Sequence, residues 1–193
     1  MKVEEKALVL DYLAHGKSSS FKSEPLAQLI GTEFFTLLEV SPKPGVNLAA
    51  LEEVYVGKEE REKVEFIKRR ISFKDLTNTS NSELEAAIEK IIMQNEKKFV
   101  DFYNTSRSIT LKRHQIELLP GMGKKHMLQI LQERQKAPFE SFDELKKRVH
   151  SVPDPKHAIV KRIIEELEGF DTKYFLFVRP PAKDKPPFRP RPF

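Results

Sequence analysis

The sequence predicts an α+β fold: a small β-barrel in the first eighty residues, a helical segment after it, and a late strand that returns to the barrel. Three observations predict this. Short apolar runs separated by turn residues fill the first eighty positions. At Ser82 the apolar spacing changes to the helical period of about 3.6. After the last helical stretch stands one β-forming run, Lys173-Tyr-Phe-Leu-Phe-Val178, with no local neighbour to pair with.

Within residues 1–80, Ala7 to Leu13 is an apolar run, Phe34 to Val40 a second and Val54 to Val56 a short third, with Pro42-Lys-Pro-Gly45 as the turn between the last two. Val64 to Phe73 makes a longer fourth strand. There Ile67, Arg69, Ile71 and Phe73 share one face while Val64 and Phe66 point to the other, so a bulge near Phe66-Ile67 is expected. Short, strongly bent strands of this kind predict an OB-like β-barrel, an architecture that often binds nucleic acid on one face. A plain antiparallel sheet supporting the helical segment is the competing reading.

Ser82-x-x-Glu85 offers a capping box, and Leu84, Ile88, Ile91, Ile92, Phe99, Phe102 and Tyr103 form an apolar stripe. The pattern predicts one helix over 82–103, so that residues 81–104 link the barrel to the hairpin segment. The polar stretch Asn104-Thr-Ser-Arg-Ser108 is the boundary. Further on, Ser141-x-x-Glu144 caps a short helix ending near Val149. Asp154 as N-cap, Pro155 at the first helical position and Gly169 past the end bracket a last helix with Val160, Ile163, Ile164 and Leu167 on its apolar face.

The most informative stretch lies between these elements: Leu111-Lys-Arg-His-Gln-Ile-Glu-Leu-Leu-Pro-Gly-Met-Gly123-Lys-Lys. Ile116 and Leu119 are expected to end a first helix that Pro120 cannot continue, Gly121 and Gly123 allow a tight turn, and a second helix opens at Lys124. The first amides of a helix lack internal partners, and the helix dipole places partial positive charge there. With Lys124 and Lys125 alongside, a phosphodiester fits without any base-specific contact. This pattern resembles the helix-hairpin-helix motif of DNA repair, recombination and competence proteins. The resemblance continues through Ile130, Arg134 and Pro138-Phe139-x-Ser141-x-Asp143-x-Leu145-x-x-Arg148-Val149, about forty residues in all. One departure is Met127, where that family favours a small residue. A second, degenerate hairpin is expected around Ser151-Val-Pro-Asp-Pro155, which has no glycine to hold phosphate and is read as packing. The alternative for the first turn is a plain helix connector.

Charge is distributed unevenly. Residues 1–104 carry net −3, residues 105–168 net +4 and residues 169–193 net +4, so basic charge collects on the hairpin segment (105–170) and on the tail, as a phosphate-neutralising surface requires. The Pro-rich tail, 180–193, reads as extended, and either reaches for phosphate or has no role. With 39% hydrophobic and 33% charged residues the chain has enough apolar content for a core. No run approaches membrane-span length and the start lacks a signal-peptide pattern, so a cytoplasmic protein without membrane partners is expected.

No cysteine is present, which excludes disulfides, thiolate nucleophiles and Cys-based zinc sites. His15, His114, His126, His150 and His157 show no metal-ligand spacing, and no phosphate-loop, dinucleotide or nucleophile-elbow motif occurs. Glu52-Glu53 and Glu59-Glu60-x-Glu62 are read as solvated loop, with Mg²⁺ binding as the alternative. The expectation is therefore a protein that is not an enzyme and needs no cofactor or metal.

As a whole the chain resembles an uncharacterised, mostly archaeal family described as predicted nucleic-acid-binding proteins, with an OB-like part and a C-terminal helix-hairpin-helix domain. The resemblance implies RNA in preference to DNA and an association with ribosomal or transcription proteins. The residues expected to hold nucleic acid are Gly121, Gly123, Lys124 and Lys125 at one phosphate. Lys112, Arg113, Lys146, Lys147 and Arg148 would add electrostatic contacts, and Lys68, Arg69 and Arg70 would meet a single strand on the barrel. A protein-interaction adaptor with a structural hairpin and a docking tail, a DNA-binding accessory protein, and an acidic-site metalloenzyme are the alternatives.

Overall fold

The computed structural model describes residues 3–16, 24–169 and 173–180; the tail reading, from 181 on, falls outside them. Strands β1 (Lys6–Leu13), β2 (Leu26–Gly31), β3 (Leu37–Pro42), β4 (Glu53–Tyr55) and β5 (Val64–Arg70) form one antiparallel sheet in the order β4-β1-β2-β3-β5. Register sorts the side chains. Leu8 opposes Ile30 and Ile30 opposes Leu37 on one face, while Val9, Leu29 and Leu38 oppose one another on the other. The second face builds its own core with Val40, Val54 and Val64. Because Val54 lies on one edge strand and Val64 on the other, the unpaired edges curl toward each other over that core, giving a half-barrel. The bend in β5 lies where the sequence places it: pairing with β3 skips Glu65 and Lys68, on either side of Phe66-Ile67.

Three strand readings need correction. β2 was not foreseen. β5 stops at Arg70, and Phe73–Asp75 is a 3-10 turn instead of strand. β3 starts at Leu37 because the preceding residues turn, with Phe35 at φ 54°. That turn is held by the buried carboxylate of Glu4, which accepts the N–H groups of Glu33 (3.0 Å), Phe34 (3.1 Å) and Thr36 (3.0 Å). A Cβ at Gly31 would stand 2.0 Å from Glu4 Cδ, so only glycine lets this carboxylate enter.

The expected single helix over 82–103 is two, α1 (Asn78–Gln94) and α2 (Glu96–Thr105), broken at Asn95 with φ −129° and ψ 36°. The cap is Thr77, whose Oγ1 accepts the Ser80 N–H at 3.0 Å; Ser82 sits inside α1 and donates to Asn78 O. Three further helices follow, α3 (Lys124–Lys136), α4 (Phe142–Arg148) and α5 (Pro155–Glu168). The last two start and stop where the sequence puts them: Ser141 Oγ accepts the Glu144 N–H, Asp154 accepts the His157 N–H, and Gly169 closes α5 at φ 70°.

One apolar cluster joins the outer sheet face to the helices, running from Leu8 and Ile30 through Ile88, Ile91, Phe99 and Tyr103 to Ile130, Leu145 and Ile163. Fully buried Tyr103 donates its hydroxyl to Pro155 O at 2.7 Å, tying α2 to α5, and burial holds that hydroxyl well above the usual tyrosine pKa, with Asp154 adding to it. Tyr103→Phe removes the bond while keeping the ring, and denaturant titration should show a loss of about 1 kcal/mol. No change would mean the bond adds nothing over packing.

Residues 173–180 form no strand, which corrects the returning-strand reading. They still reach the barrel. Arg179 N–H donates to Phe34 O at 3.1 Å, the Arg179 guanidinium lies 4.0 Å from the Phe34 ring centre, and Phe177 packs against Phe99 and Phe102. Strand pairing is unneeded because a side chain takes the segment's amides: Glu166 accepts the N–H groups of Leu176, Phe177 and Val178.

Candidate nucleic-acid interface

The segment before the Pro-Gly turn is not a helix. Ser108–Thr110 (β6) and Arg113–His114 (β7) form a small hairpin with Leu111 fully exposed at its tip, and only a 3-10 turn at Ile116–Leu118 precedes Pro120. Side chains explain the departure. Gln115 accepts the Arg107 N–H, Glu117 the His114 N–H, and His114 Nδ1 the Ile116 N–H at 3.2 Å. Amides bonded in this way are withdrawn from a helical ladder. Ile116 and Leu119 are buried, as expected of the residues that anchor the turn.

His114 Nδ1 accepts a hydrogen bond only while unprotonated. Burial lowers the imidazole pKa, Arg134 lowers it further, and Glu117 works the other way. The unfolded chain therefore binds this proton more readily than the native one. The contribution of His114 is intact above the unfolded value near 6.5 and is lost as pH falls through the lower folded value. Melts between neutral and mildly acidic pH should show a decline that His114→Asn lacks. Parallel profiles would remove His114 from the acid sensitivity.

The turn itself has the expected backbone. Gly121 lies at φ 80°, Gly123 is the N-cap of α3, and both are exposed, as are Lys124 and Lys125. A Cβ at Gly123 would meet nothing within 4 Å, whereas one at Gly121 would touch Pro153 Cγ at 3.3 Å. The first turn thus packs against the second, where Ser151 holds the corresponding left-handed place at φ 60°. The two helix starts differ in one respect that bears on anions. α5 is capped by its own Asp154, whereas no side chain caps the first amides of α3 and no acidic residue lies in its first turn. His126 reaches back, accepting the Gly123 N–H through Nδ1 at a long 3.5 Å. Its place three residues after the N-cap was the available signal.

Other expected contacts separate into two groups. Lys112 and Arg113 are exposed on the β6–β7 hairpin instead of a helix, Lys147 is exposed on α4, and Lys146 pairs with Asp154 at 3.1 Å. Arg148 is structural: it bonds Glu144, Glu133 O and Ala137 O and covers the Phe139 ring at 4.5 Å, so it is spent on joining α3 to α4. Arg134 likewise bonds Tyr103 O and Ser106 O. On β5, Lys68, Arg69 and Arg70 do not form one surface. Arg69 turns to the helix side and pairs with Glu39 at 2.8 Å and Asp75 at 3.8 Å, Lys68 pairs with Glu24 at 3.4 Å, and Arg70 bonds Arg179 O at 2.6 Å. The helices occupy the outer sheet face, so these three residues do not share one open face.

Among the acidic residues, Glu52 pairs with Lys63 and Glu53 with Lys6. No group of three or more His, Asp or Glu able to hold a metal occurs among the described residues, and none of their helices is long and apolar enough to cross a membrane.

A family model described as a protein of unknown function, DUF655, matches residues 3–179. The chain belongs to the DUF655 family. A crystal structure of a DUF655 protein, Af1531 from Archaeoglobus fulgidus, superposes with a TM-score of 0.86 at 47% identity, covering 91% of this chain and 100% of that one. An uncharacterized protein of Methanocaldococcus jannaschii, MJ0038, is 39% identical over 179 residues, 92% of this chain and 81% of the relative. Both sources are archaeal, in keeping with the family resemblance. The DUF655 match takes in the half-barrel, both turns and the 173–179 segment.

Proposed function

We propose that this protein is a non-catalytic nucleic-acid-binding protein that holds a backbone phosphate at the Pro120–Gly123 turn. The observation that carries the reading is the bare start of α3. The N-termini of α1, α4 and α5 are capped by Thr77, Ser141 and Asp154, and α2 has Glu96 in its first turn, but α3 has neither an oxygen cap nor an acid and is followed by Lys124 and Lys125. An anion is what such a terminus lacks. The stacking of Gly121 on Pro153, with a left-handed residue in each turn, supports a paired helix-hairpin-helix unit in which only the first turn binds. The half-barrel, with unpaired edges over a shared core, supports a partly open OB-like barrel. RNA is favoured over DNA through the family resemblance.

The test is binding of the full chain to matched labelled single- and double-stranded RNA and DNA across a salt series. Micromolar or tighter affinity with a steep negative salt slope is expected, and the preferred ligand decides RNA against DNA. No binding at low salt makes the turn a packing device.

A further inference from the structure

The half-barrel has an opening of its own. Where β4 and β5 leave each other unpaired lies a cavity of 310 Å³, with an apolar floor of Leu38, Val56 and Ile67. Four cations line it: Lys58, Arg61, Arg70 and Arg179. Two of them are fixed in place, Arg61 by a 2.8 Å bond from Nε to Gly57 O and Arg70 by its bond to Arg179 O. Glu4 also reaches the cavity, but its carboxylate already accepts three amides. Lys58, Arg61 and Arg70 pair with no carboxylate among the described residues.

A volume near the lower end of ligand pockets, about 300 Å³, holds one small unit and not a run of nucleotides. Cations in this number suit a multiply charged phosphate better than a lone carboxylate. The apolar floor beside those cations suits the face of a base. We propose that this opening binds one nucleotide by its phosphate, as the phosphorylated end of a strand or as a free mononucleotide, with the cations at the phosphate and the floor of Leu38, Val56 and Ile67 against the base. Electrostatics agrees with this placement: burial depresses the Arg70 guanidinium below its ordinary value, the neighbouring Arg179 charge depresses it further, and Glu4 only partly compensates. A phosphate would relieve that repulsion. The site does not depend on the Pro120–Gly123 turn.

Calorimetric titration of the full chain tests it, with adenosine 5′-monophosphate, adenosine, inorganic phosphate, and a short RNA carrying either a 5′-phosphate or a 5′-hydroxyl. Either the mononucleotide or the 5′-phosphorylated strand should bind at least about tenfold more tightly than phosphate, adenosine or the hydroxyl strand. Mononucleotide binding identifies a free ligand, and binding of the phosphorylated strand alone identifies end recognition. Arg70→Gln should weaken this binding by about tenfold or more, a charge-assisted contact being lost. Lys58→Gln, at a cavity cation that holds no part of the fold among the described residues, should weaken it severalfold while the unliganded protein melts no lower than wild type. The double variant Lys124→Glu, Lys125→Glu lowers the affinity for both strands if the turn reading holds, but should leave the ratio between the 5′-phosphate and 5′-hydroxyl strands and the affinity for the mononucleotide unchanged, so failure of the turn reading and failure of this one are distinguishable. The proposal is overturned if neither phosphorylated ligand outbinds the controls, or if Arg70→Gln and Lys58→Gln, both folded, bind as wild type does.

Discussion

Replacing Lys124 and Lys125 together by glutamate is expected to weaken nucleic-acid binding by about tenfold or more, for all sequences alike. The reasoning is local. Both side chains are exposed, neither forms an ion pair among the described residues, and they stand in the first turn of a helix without a cap. Their charge supports no packing, so the double variant should melt close to wild type. Contacts to phosphate carry no sequence information, hence the uniform loss. Each phosphate contact contributes roughly one unit to the slope of log affinity against log salt, so the slope should flatten by about two.

The form of the loss discriminates between mechanisms. A base-reading surface would lose its preferred sequence first, and a purely structural turn would lose stability instead of affinity. Unchanged binding and an unchanged salt slope, in a variant shown to be folded, would return Pro120–Gly123 to the role of a connector held by Gly121 against Pro153.

How much of this was legible in the sequence depended on whether local chemistry and global packing agreed. They agree in α5, where Asp154, Pro155 and Gly169 act within their own helix and the apolar period marks the buried face. They diverge at β2, a central strand packed on both faces, which reads as an apolar run and not as an alternation. The break at Asn95 was hidden because the apolar stripe continues on both sides of it, from Ile92 to Phe99. Residues 111–119 suit a helix by composition, yet Gln115, Glu117 and His114 bond backbone amides and leave Leu111 in solvent. At the candidate site the turn glycines and lysines were legible because their role is local. The bonds by which Arg148 joins α3 to α4 were not legible, because its partners Glu133 O and Ala137 O come together only in the folded chain. Lys58, Arg61 and Arg179 belong to no motif and meet only through the curl of the sheet.

The largest stability effect is expected at Glu166, a side chain with no exposure to solvent. Its carboxylate is filled: Oε1 accepts from Leu176 N–H (2.7 Å) and Arg162 Nε (2.9 Å), and Oε2 from Phe177 N–H (3.0 Å) and Val178 N–H (2.9 Å). Two bonds per oxygen use its whole acceptor capacity. Glu166→Ala strands three amides and leaves Arg162, itself largely buried, with less compensation. Breaking a buried pair from one side costs about 3–5 kcal/mol. For a chain of this size that corresponds to a fall in melting temperature of roughly 6–20 °C. Glu166→Gln should not rescue it, because an amide NH₂ at the Oε2 position faces the donors of Phe177 and Val178. Both variants should also loosen the attachment of 173–180, which places Phe177 between Phe99 and Phe102 and Arg179 on Phe34. Hydrogen exchange resolves the two components: the amides of Leu176, Phe177 and Val178 should lose protection first. A variant that melts like wild type while those amides exchange freely would confine Glu166 to a local latch. One that keeps both melting temperature and protection would remove it as the tie between α5 and the half-barrel.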